Sequence, residues 1–404
     1  MKILAINVFY APIIGGGAEI TMKNLYEGLR DLGHKINILT FSDKFNYTEN
    51  INGVNVYRVK ITNLYFPLFV GNKKPNALTR KLWHLIDIYN PISKDIVEKH
   101  IDSVKPDVVV IHNTQGWSTS IYSAMVKQNI PFIQVLHDQY LLCHTNMFKN
   151  NKNCKKQCLL CKMMTLPNKI QSNKATAVVG VSKFILNRLL SYEYFKQVPI
   201  KKVIHDSRKI EVINNKSHGE KKYDGIIYFG FIGTLASNKG IELLLQSYLK
   251  ADIKNSMLLI AGDGNTSYVS YLRKSYVDNR ISYLGKVNPQ DFFTKVDVTV
   301  VPSIWEEALG MVVMESFYFG VPVIGSRIGG IPEMIEEGVN GVLFEPGNKL
   351  ELKNCLVEFM NTIYYWKDRQ KEIQQSAANN LDYNSWIKQW DELLDNVIAI
   401  QENH

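Results

Sequence analysis

Short apolar runs alternate along the chain with segments whose apolar residues recur at helical spacing. In the first half, five runs have the length and composition of buried strands: 2–8, 36–40, 107–111, 131–136 and 175–181. Residues 18–32 instead carry an apolar stripe of helical period and end at Gly33. Because strands that alternate with helices form a parallel sheet covered on both faces, the first half predicts a Rossmann-like α/β domain.

The alternation stops at a polar stretch, 201–223, and then restarts. The strands predicted in the second half are 225–231, 257–260, 281–284, 297–301 and 321–325. The helices predicted there are 239–249, 267–276, 311–319 and 331–336. We therefore expect an N-terminal domain (1–205), a linker (206–223), a second domain (224–384) and an amphipathic C-terminal helix (385–404). Ligands of such sheets bind at the carboxyl ends of the strands.

The length and composition agree with two globular domains. The chain has 404 residues, of which 46% are hydrophobic and 21% charged. It contains no run of about 18 apolar residues that could cross a membrane. Residues 1–8 resemble a buried first strand rather than a signal peptide, so we expect the protein in the cytoplasm.

The net charge of +9 conceals an asymmetry between the two halves. Residues 1–216 carry a net +16 and residues 217–404 a net −7. A basic half suggests an anionic partner: a membrane surface, a lipid-diphosphate acceptor or nucleic acid. No recognition-helix pattern stands out, so we do not expect nucleic acid. The alternative is a lysine-rich composition with no target.

One segment of the basic half interleaves aromatic and aliphatic residues with cations. Its members are Tyr65, Phe66, Leu68, Phe69, Val70, Lys73, Lys74, Arg80, Lys81 and Trp83. This pattern is typical of insertion at a membrane interface, on the inner leaflet for a cytoplasmic protein. A core hairpin with a basic turn is the competing interpretation.

The segment 302–315 carries the strongest chemical signal. It joins an apolar strand to an apolar helix, and two carboxylates, Glu307 and Glu315, lie eight residues apart in it. Between them a helix begins, whose free amides near Ala308, Leu309, Gly310 and Met311 suit a phosphate. A separation of roughly 10 Å suits two hydroxyl-bearing parts of one extended ligand, such as a nucleotide-sugar. The alternative is two solvated glutamates beside a core helix.

The surroundings of this pair resemble a known family. Pro302-Ser303 precedes it, and 320–324 (GVPVI) and 329–333 (GGIPE) follow it. In these motifs the chain resembles the retaining glycosyltransferases of family 4, which have an E-x7-E signature. The resemblance implies the GT-B fold: two facing Rossmann-like domains with a C-terminal helix that crosses back to the first. It also implies a retaining, metal-independent transfer of a hexose-type sugar from a UDP- or GDP-linked donor.

The resemblance assigns roles in the second domain. Glu307 is expected to bind the sugar hydroxyls as a catalytic residue, and Glu315 to bind the ribose. Residues 231–240 resemble the G-R-x4-K-G segment of the family, in which Lys239 would stabilise the departing diphosphate. Thr234 stands where the family has arginine, so one cation is missing. Lys286 and Val287 lie in a segment resembling the one that contacts the base.

Two further sites are expected in the first domain. Gly16 and Gly17 join the first strand to the first helix, where glycine amides approach a diphosphate; a plain tight turn is the alternative. His137 follows the strand 131–136, and in relatives a histidine there lies near the transferred sugar. A structural histidine is the alternative.

The cysteines form a separate signal. Cys143, Cys154, Cys158 and Cys161 are spaced C-x10-C-x3-C-x2-C within the loop 143–161, with His144 next to the first. In a cytoplasmic protein this favours a structural Zn²⁺ site over disulfides. Reduced thiols are the alternative. No cofactor is expected for catalysis.

The sequence thus predicts a hexosyltransferase acting on a glycan or lipid-linked glycan precursor, of the lipopolysaccharide, capsule or O-antigen type. A non-catalytic GT-B subunit that binds a glycan or a partner is one alternative, and Thr234 favours it. The other is a soluble transferase acting on a small molecule or protein.

Overall fold

The protein, described as a computed structural model for residues 1–66, 75–210 and 225–402, forms two compact units. The first unit comprises residues 1–147, 154–209 and the C-terminal segment from Tyr383. The second comprises residues 148–153 and the described residues between 210 and 382. The short segment 148–153 therefore belongs to the second unit, although both of its chain neighbours belong to the first.

An eight-stranded sheet forms the centre of the first unit. Its strands are β1 (Lys2–Ile6), β2 (Lys35–Ser42), β3 (Tyr47–Ile51), β4 (Val54–Lys60), β5 (Val108–Ile111), β6 (Phe132–Leu136), β9 (Ala177–Gly180) and β10 (Ile200–Val203), while β7 (Phe148–Lys149) and β8 (Lys152–Asn153) form a separate hairpin. The order is β10-β9-β6-β5-β1-β2-β4-β3, parallel except for the β3–β4 pair. Strand β5 is buried along its whole length, as expected where helices cover both faces of a sheet.

Seven helices connect the strands of this unit. They are α1 (Gly17–Asp31), α2 (Ala77–Ile88), α3 (Pro91–Val104), α4 (Tyr122–Lys127), α5 (Leu159–Met164), α6 (Leu166–Ser172) and α7 (Lys183–Ser191). Several begin at polar caps: the Asn76 side chain accepts a hydrogen bond from Thr79 N, and Ser182 Oγ accepts one from Ile185 N. Ser182 therefore has the capping role that its position before an apolar helix suggests.

The second unit contains a fully parallel six-stranded sheet. Its strands are β11 (Ile227–Ile232), β12 (Ser256–Ala261), β13 (Ile281–Gly285), β14 (Val298–Val301), β15 (Val323–Ser326) and β16 (Gly341–Phe344), in the order β13-β12-β11-β14-β15-β16. Its helices are α8 (Ile241–Ala251), α9 (Thr266–Ser275), α10 (Pro289–Phe293), α11 (Met311–Tyr318), α12 (Lys349–Asn361), α13 (Ile363–Asp368) and α14 (Gln370–Leu381). Both units are thus Rossmann-like, as the sequence predicts.

The last helix, α15 (Tyr383–Glu402), belongs to the first unit. Its apolar side is buried there, at Trp386, Ile387, Trp390, Leu393, Leu394 and Val397. Polar contacts reinforce the packing: His34 Nε2 lies 2.7 Å from Asp391 Oδ1, and Tyr383 OH donates to Asn24 O at 2.9 Å. The predicted return of the C-terminal helix to the first domain is confirmed.

The aromatic segment 65–83 is only partly a surface feature. Phe66 and Trp83 are buried, and Trp83 Nε1 donates to Tyr65 O at 2.8 Å. Leu68, Phe69, Val70, Lys73 and Lys74 lie outside the described residues. Phe66 and Trp83 therefore pack in the core, but Trp83 does so from helix α2 and not from the hairpin of the competing interpretation.

Across the described ranges, every helix is too short or too polar to span a lipid bilayer.

Candidate functional site

A lysine and a glutamate meet at the carboxyl edge of the second sheet. Lys239 ends a 3₁₀ turn after β11, and Glu307 lies in the loop after β14, the strand paired with β11. Lys239 Nζ donates to Glu307 Oε1 at 2.6 Å, and Ser303 Oγ donates to the same oxygen at 2.6 Å. Neighbouring parallel strands end at one edge of a sheet, which is why residues 68 positions apart come together here.

An indole ring completes the surroundings of this ammonium. Lys239 Nζ lies 5.5 Å from the centroid of the Trp305 ring, within range of a cation–π interaction. The Glu307 side chain is 11% exposed, whereas Lys239 keeps 29% of its side chain in contact with solvent. The cation is thus held in place by two neighbours and still faces outward.

Backbone hydrogen bonds and one glycine shape the loop 302–307. Ile304 N and Trp305 N both donate to Asn238 O, at 3.0 and 3.2 Å. Gly240 has φ +71°, and a Cβ there would lie 1.8 Å from Pro302 O. Gly240 therefore has two reasons to be glycine, a left-handed backbone and a close approach to this loop.

Gly310, which has φ +93°, is the N-cap residue of helix α11, and no side-chain hydrogen bond caps this helix. Val313 N donates to Gly310 O at 2.9 Å, so the amides available to an anion are those before it, at Met311 and Val312. The positive end of the helix dipole lies at the same place. Leu309 is buried before it, and Met311 is its first residue. The role of Ala308–Met311 in binding a phosphate stays a prediction.

Glu315 lies inside α11 and is 7% exposed. Both carboxylates of the spaced pair are therefore buried, Glu307 in the loop and Glu315 in the helix. Because both side chains are buried, the alternative of two solvated surface glutamates does not describe this structure. A buried carboxylate needs polar or charged partners.

The remaining predicted residues of the second unit lie at the same edge but differ in environment. Thr234 is exposed just after β11. Lys286 is exposed after β13, two strands away from β11. Val287 packs against an apolar cluster that includes Leu259 and Phe292, so it has a structural position in addition to any contact with a ligand.

In the first unit, His137 belongs to a chain of hydrogen-bonded side chains. Tyr26 OH lies 2.7 Å from His112 Nε2, His112 Nδ1 lies 2.9 Å from His137 Nε2, and His137 Nδ1 lies 3.5 Å from Asp206 Oδ2. Burial alone would lower the pKa of His137, but the charge and hydrogen bond of Asp206 outweigh it and raise that pKa above its usual value. Burial, with a smaller effect of His137, holds the pKa of His112 well below its usual value.

Sequence reasoning found His137 but missed His112 and Asp206. His112 follows β5 directly, as His137 follows β6, and the two strands are paired. A polar residue after each of two consecutive apolar runs was the available signal. Asp206 gave no local signal, since its partner lies 69 positions earlier in the chain.

The glycine loop has a cationic neighbour. Gly16 N donates to Glu19 Oε2 at 2.7 Å, and α1 begins at Gly17. A Cβ on Gly17 would lie 3.7 Å from Arg208 Nη2. An arginine that the sequence analysis did not single out therefore lies beside the predicted diphosphate loop.

Three of the four clustered cysteines lie near one another, together with a histidine. Cys143 Sγ is 3.3 Å from Cys161 Sγ, and a His144 ring nitrogen lies within 4.8 Å of both. Cys158 Sγ accepts a hydrogen bond from Cys161 N at 3.4 Å. None of the five cysteines, all of which lie in the described ranges, forms a disulfide, and the predicted role of Cys154 stays a prediction.

Two family models match successive parts of the chain. The model described as Glycosyltransferase Family 4 matches residues 15–203, and the model described as Glycosyl transferases group 1 matches residues 212–378. Together they span most of both units. The chain belongs to the family of glycosyltransferases that these two models describe.

Curated relatives and solved structures agree with that assignment. An uncharacterized 42.6 kDa protein in the cps region of Klebsiella pneumoniae is 31% identical, over 83% of this chain and 87% of the relative. An uncharacterized glycosyltransferase of Methanocaldococcus jannaschii is 28% identical, over 86% of each chain.

Sucrose-phosphate synthase from Thermosynechococcus elongatus shares the fold, with a TM-score of 0.78, 16% identity and 99% of each chain covered. Anabaena HepE in complex with UDP-glucose does so with a TM-score of 0.72 and 19% identity, over 98% of this chain and 100% of HepE. The fold is GT-B.

Proposed function

We propose that this glycosyltransferase is a retaining, metal-independent hexosyltransferase that uses a UDP- or GDP-linked sugar. Its acceptor would be a hydroxyl of a glycan or lipid-linked glycan precursor for a surface polysaccharide. The observation that carries the proposal is the buried Glu307 carboxylate bound to Lys239 beside the uncapped start of α11. The HepE structures, which hold UDP and UDP-glucose, and the relative in a cps region support the donor and the pathway class.

The charges around Lys239 suit a diphosphate. An ammonium has three donors, and Glu307 accepts one hydrogen bond from it, while the Trp305 ring contacts it without accepting a conventional hydrogen bond. Two donors are then left for phosphate oxygens, next to the amides of the first turn of α11. In the proposed complex Glu307 accepts hydrogen bonds from sugar hydroxyls, and Glu315 accepts them from the ribose.

The proposed transfer breaks the bond between the anomeric carbon and the diphosphate oxygen. The acceptor oxygen bonds to the same face of that carbon, and its proton passes to the departing diphosphate. No strong protein base is required, so positioning and charge stabilisation supply most of the rate. Lys239 and the α11 amides would stabilise the charge that develops on the leaving group.

The test of this function is donor turnover by a matched pair of variants. Nucleoside diphosphate release from a panel of nucleotide-sugars would be measured with and without acceptor extract. Glu307→Gln should lower turnover at least about a hundredfold, the scale for one oriented site group. Glu336→Gln, an exposed glutamate in the same unit, should not. Near-normal turnover by Glu307→Gln, or donor binding by the wild type without any turnover, would contradict the proposal; the latter result would favour a non-catalytic subunit.

A lipid-linked acceptor is supported by an apolar surface on the first unit. Helices α5 and α6 expose Leu159, Leu160, Met163, Leu166 and Ile170, with Leu159 and Met163 exposed by 74% and 67%. Helix α2 exposes Leu78, Leu82 and Leu85, and its His84 lines a cavity together with Met164 of α5. Exposed lysines flank these side chains, at Lys155, Lys156 and Lys162. Apolar side chains edged by cations suit the surface of an anionic membrane.

Vesicle flotation tests this part of the proposal separately. The wild type should float with vesicles containing roughly one-third anionic lipid at low salt, and much less with neutral ones. Leu160→Ser with Met163→Ser should reduce flotation, whereas Leu350→Ser, an exposed leucine of the second unit, should not. If the wild type does not bind the vesicles, the membrane part of the proposal is wrong, and a soluble acceptor remains.

A further inference from the structure

The thiol cluster of the first unit is not used by the proposed sugar transfer. Cys143 Sγ and Cys161 Sγ are 3.3 Å apart, both residues are buried, and a His144 ring nitrogen lies within 4.8 Å of each sulfur. Two thiolates on one tetrahedral Zn²⁺ lie about 3.8 Å apart, given a Zn–S bond of about 2.3 Å. A disulfide would need about 2.05 Å. The spacing is therefore much nearer that of two metal ligands than that of a disulfide.

Cys158 lies beside Cys161 at the start of α5 and is the candidate for the fourth ligand. It is separated from Cys161 by two residues, and its sulfur accepts the Cys161 N–H while capping α5. Spacing of this kind is common in structural zinc sites. A hydrogen bond from the backbone to sulfur orients a ligand before the metal binds.

We propose that Cys143, His144, Cys158 and Cys161 bind a structural Zn²⁺ ion. Three sulfurs and one imidazole nitrogen complete a tetrahedron and leave no position for substrate, so the ion would be structural rather than catalytic. The set differs from the all-cysteine set predicted from the sequence in one member, since the structure places His144 at the cluster.

Neighbouring side chains link the segment that carries Cys143 and His144 to the helix that carries Cys161. Gln157 Nε2 donates to Leu142 O at 2.7 Å and to Thr165 Oγ1 at 2.8 Å. This buried amide links the segment of Cys143 to the helix of Cys161. The His144 ring packs against His84, with 4.5 Å between centroids. Such contacts fix ligand positions in advance, which raises metal affinity.

The ion would also restrain the arm between its ligands. That arm includes the hairpin β7–β8, whose tip residues Asn150 and Asn151 both have positive φ, as in a two-residue hairpin turn. Two paired positions on each strand cannot keep such a hairpin folded alone in water. Ligands at 143–144 and 158–161 would tether both ends of it.

The hairpin contacts the loop that carries Trp305 and Glu307. Asn153 Nδ2 donates to Ile304 O at 2.7 Å, and Asn153 Oδ1 accepts from Glu306 N at 3.2 Å. Ser237 Oγ donates to Asn151 Oδ1 at 3.1 Å. The Asn153 side chain is thus hydrogen-bonded to the backbone on both sides of Trp305. The consequence for donor binding rests on the proposed function, whereas the metal site does not.

Metal content tests the site directly. Protein purified under reducing conditions should contain close to one zinc per chain, measured by plasma mass spectrometry. Cys161→Ser and His144→Ala should lose it, while Cys154→Ser and Cys355→Ser should keep it. If the ligand variants do not fold, Co²⁺ exchanged into the wild type should give thiolate-to-cobalt absorption. A wild type without zinc that shows no such absorption, a Cys143–Cys161 disulfide, or full zinc in His144→Ala would overturn the proposed site.

Hydrogen exchange tests the tether without any need for transferase activity. Removing the metal with a chelator should speed amide exchange in peptides covering 143–161 and 302–307, and adding Zn²⁺ back should restore protection. Peptides covering β1 and β12 should not change. Unchanged exchange at 302–307 would overturn the tether and leave the metal site standing.

Discussion

Lys239 is the cation of the candidate site, and its position is set by an ion pair with Glu307. It lies between the Glu307 carboxylate and the Trp305 ring. Removing the charge while keeping the length, in Lys239→Met, should lower kcat about a hundredfold, because the departing diphosphate loses a cation. Steady-state kinetics with the best donor would measure this. Lys274→Met, an exposed lysine on α9, is the control, and an equal effect of both variants would contradict the role of Lys239.

Asp87 provides a pH-dependent prediction. Burial raises its pKa to about 7, although hydrogen bonds from Tyr140 OH and from Gly116 N oppose the shift. The folded pKa lies above the unfolded value of about 3.9, so the protonated form stabilises the fold. This stability is complete below pH 4 and is lost as the pH rises towards 7.

The measurement is urea unfolding of the wild type and Asp87→Asn at several pH values. The free energy of unfolding of the wild type should fall relative to that of the variant between pH 4 and 7, by on the order of a few kcal/mol. Asp102 is an exposed aspartate on α3, and the free energy of unfolding of Asp102→Asn should change with pH in parallel with that of the wild type. Parallel curves for Asp87→Asn as well would show that Asp87 ionises normally.

At this scale, the sequence located residues that belong to short motifs and missed those that act at long range. Glu307, Glu315 and Lys239 stand within segments that can be read directly. His112 and Arg208 acquire their neighbours only when β5 meets β6 and when residues near 208 approach the glycine loop. The position of His112 directly after an apolar run was a local signal, but the tertiary pairing itself leaves no local pattern.

At the scale of elements, the turn from β11 into α8 depends on one glycine. Gly240 and Gly285 have nearly equal positive φ, +71° and +70°, but only Gly240 is crowded, by Pro302 O. Gly285→Ala should therefore cost about 1 kcal/mol, from backbone strain alone. Gly240→Ala should cost clearly more and should also lower turnover, because Pro302 begins the loop of Glu307.

Chemical unfolding and donor turnover of the two variants would measure these effects. Equal stability losses would mean that the close approach to Pro302 can relax without cost.

Apolar runs predicted ten of the fourteen strands of the two sheets within about two residues, because strands buried on both faces are continuously apolar. Strands β3, β4, β10 and β16 were missed, and β3 is largely exposed and lacks an apolar run. The helix predicted at 331–336 is a 3₁₀ turn at Ile331–Glu333.

At the scale of the whole molecule, α15 makes the end of the chain part of the first unit. Trp390 is 2% exposed within it. Trp390→Ala should cost about 3–5 kcal/mol in the first unit, from lost burial and the cavity left behind. Differential scanning calorimetry should show that the midpoint temperature of one unfolding transition is lowered. Lys388→Ala, on the exposed side of the same helix, should change it little, and an equally small effect of Trp390→Ala would mean that α15 contributes little to stability.

The division into two Rossmann-like units and the return of the last helix could be predicted from alternation and from the family resemblance. The membership of residues 148–153 in the second unit could not. That hairpin has no apolar run, and the hydrogen bonds of Asn151 and Asn153 that place it are formed with residues far along the chain.

The most direct test of the central claim is calorimetric titration of nucleoside diphosphates. UDP or GDP should bind with about one site per chain and a Kd in about the micromolar range, and Glu315→Ala should weaken that binding at least about tenfold. Absence of binding for both nucleotides at millimolar concentration, or equal binding by wild type and variant, would contradict a donor site between Glu307 and Glu315.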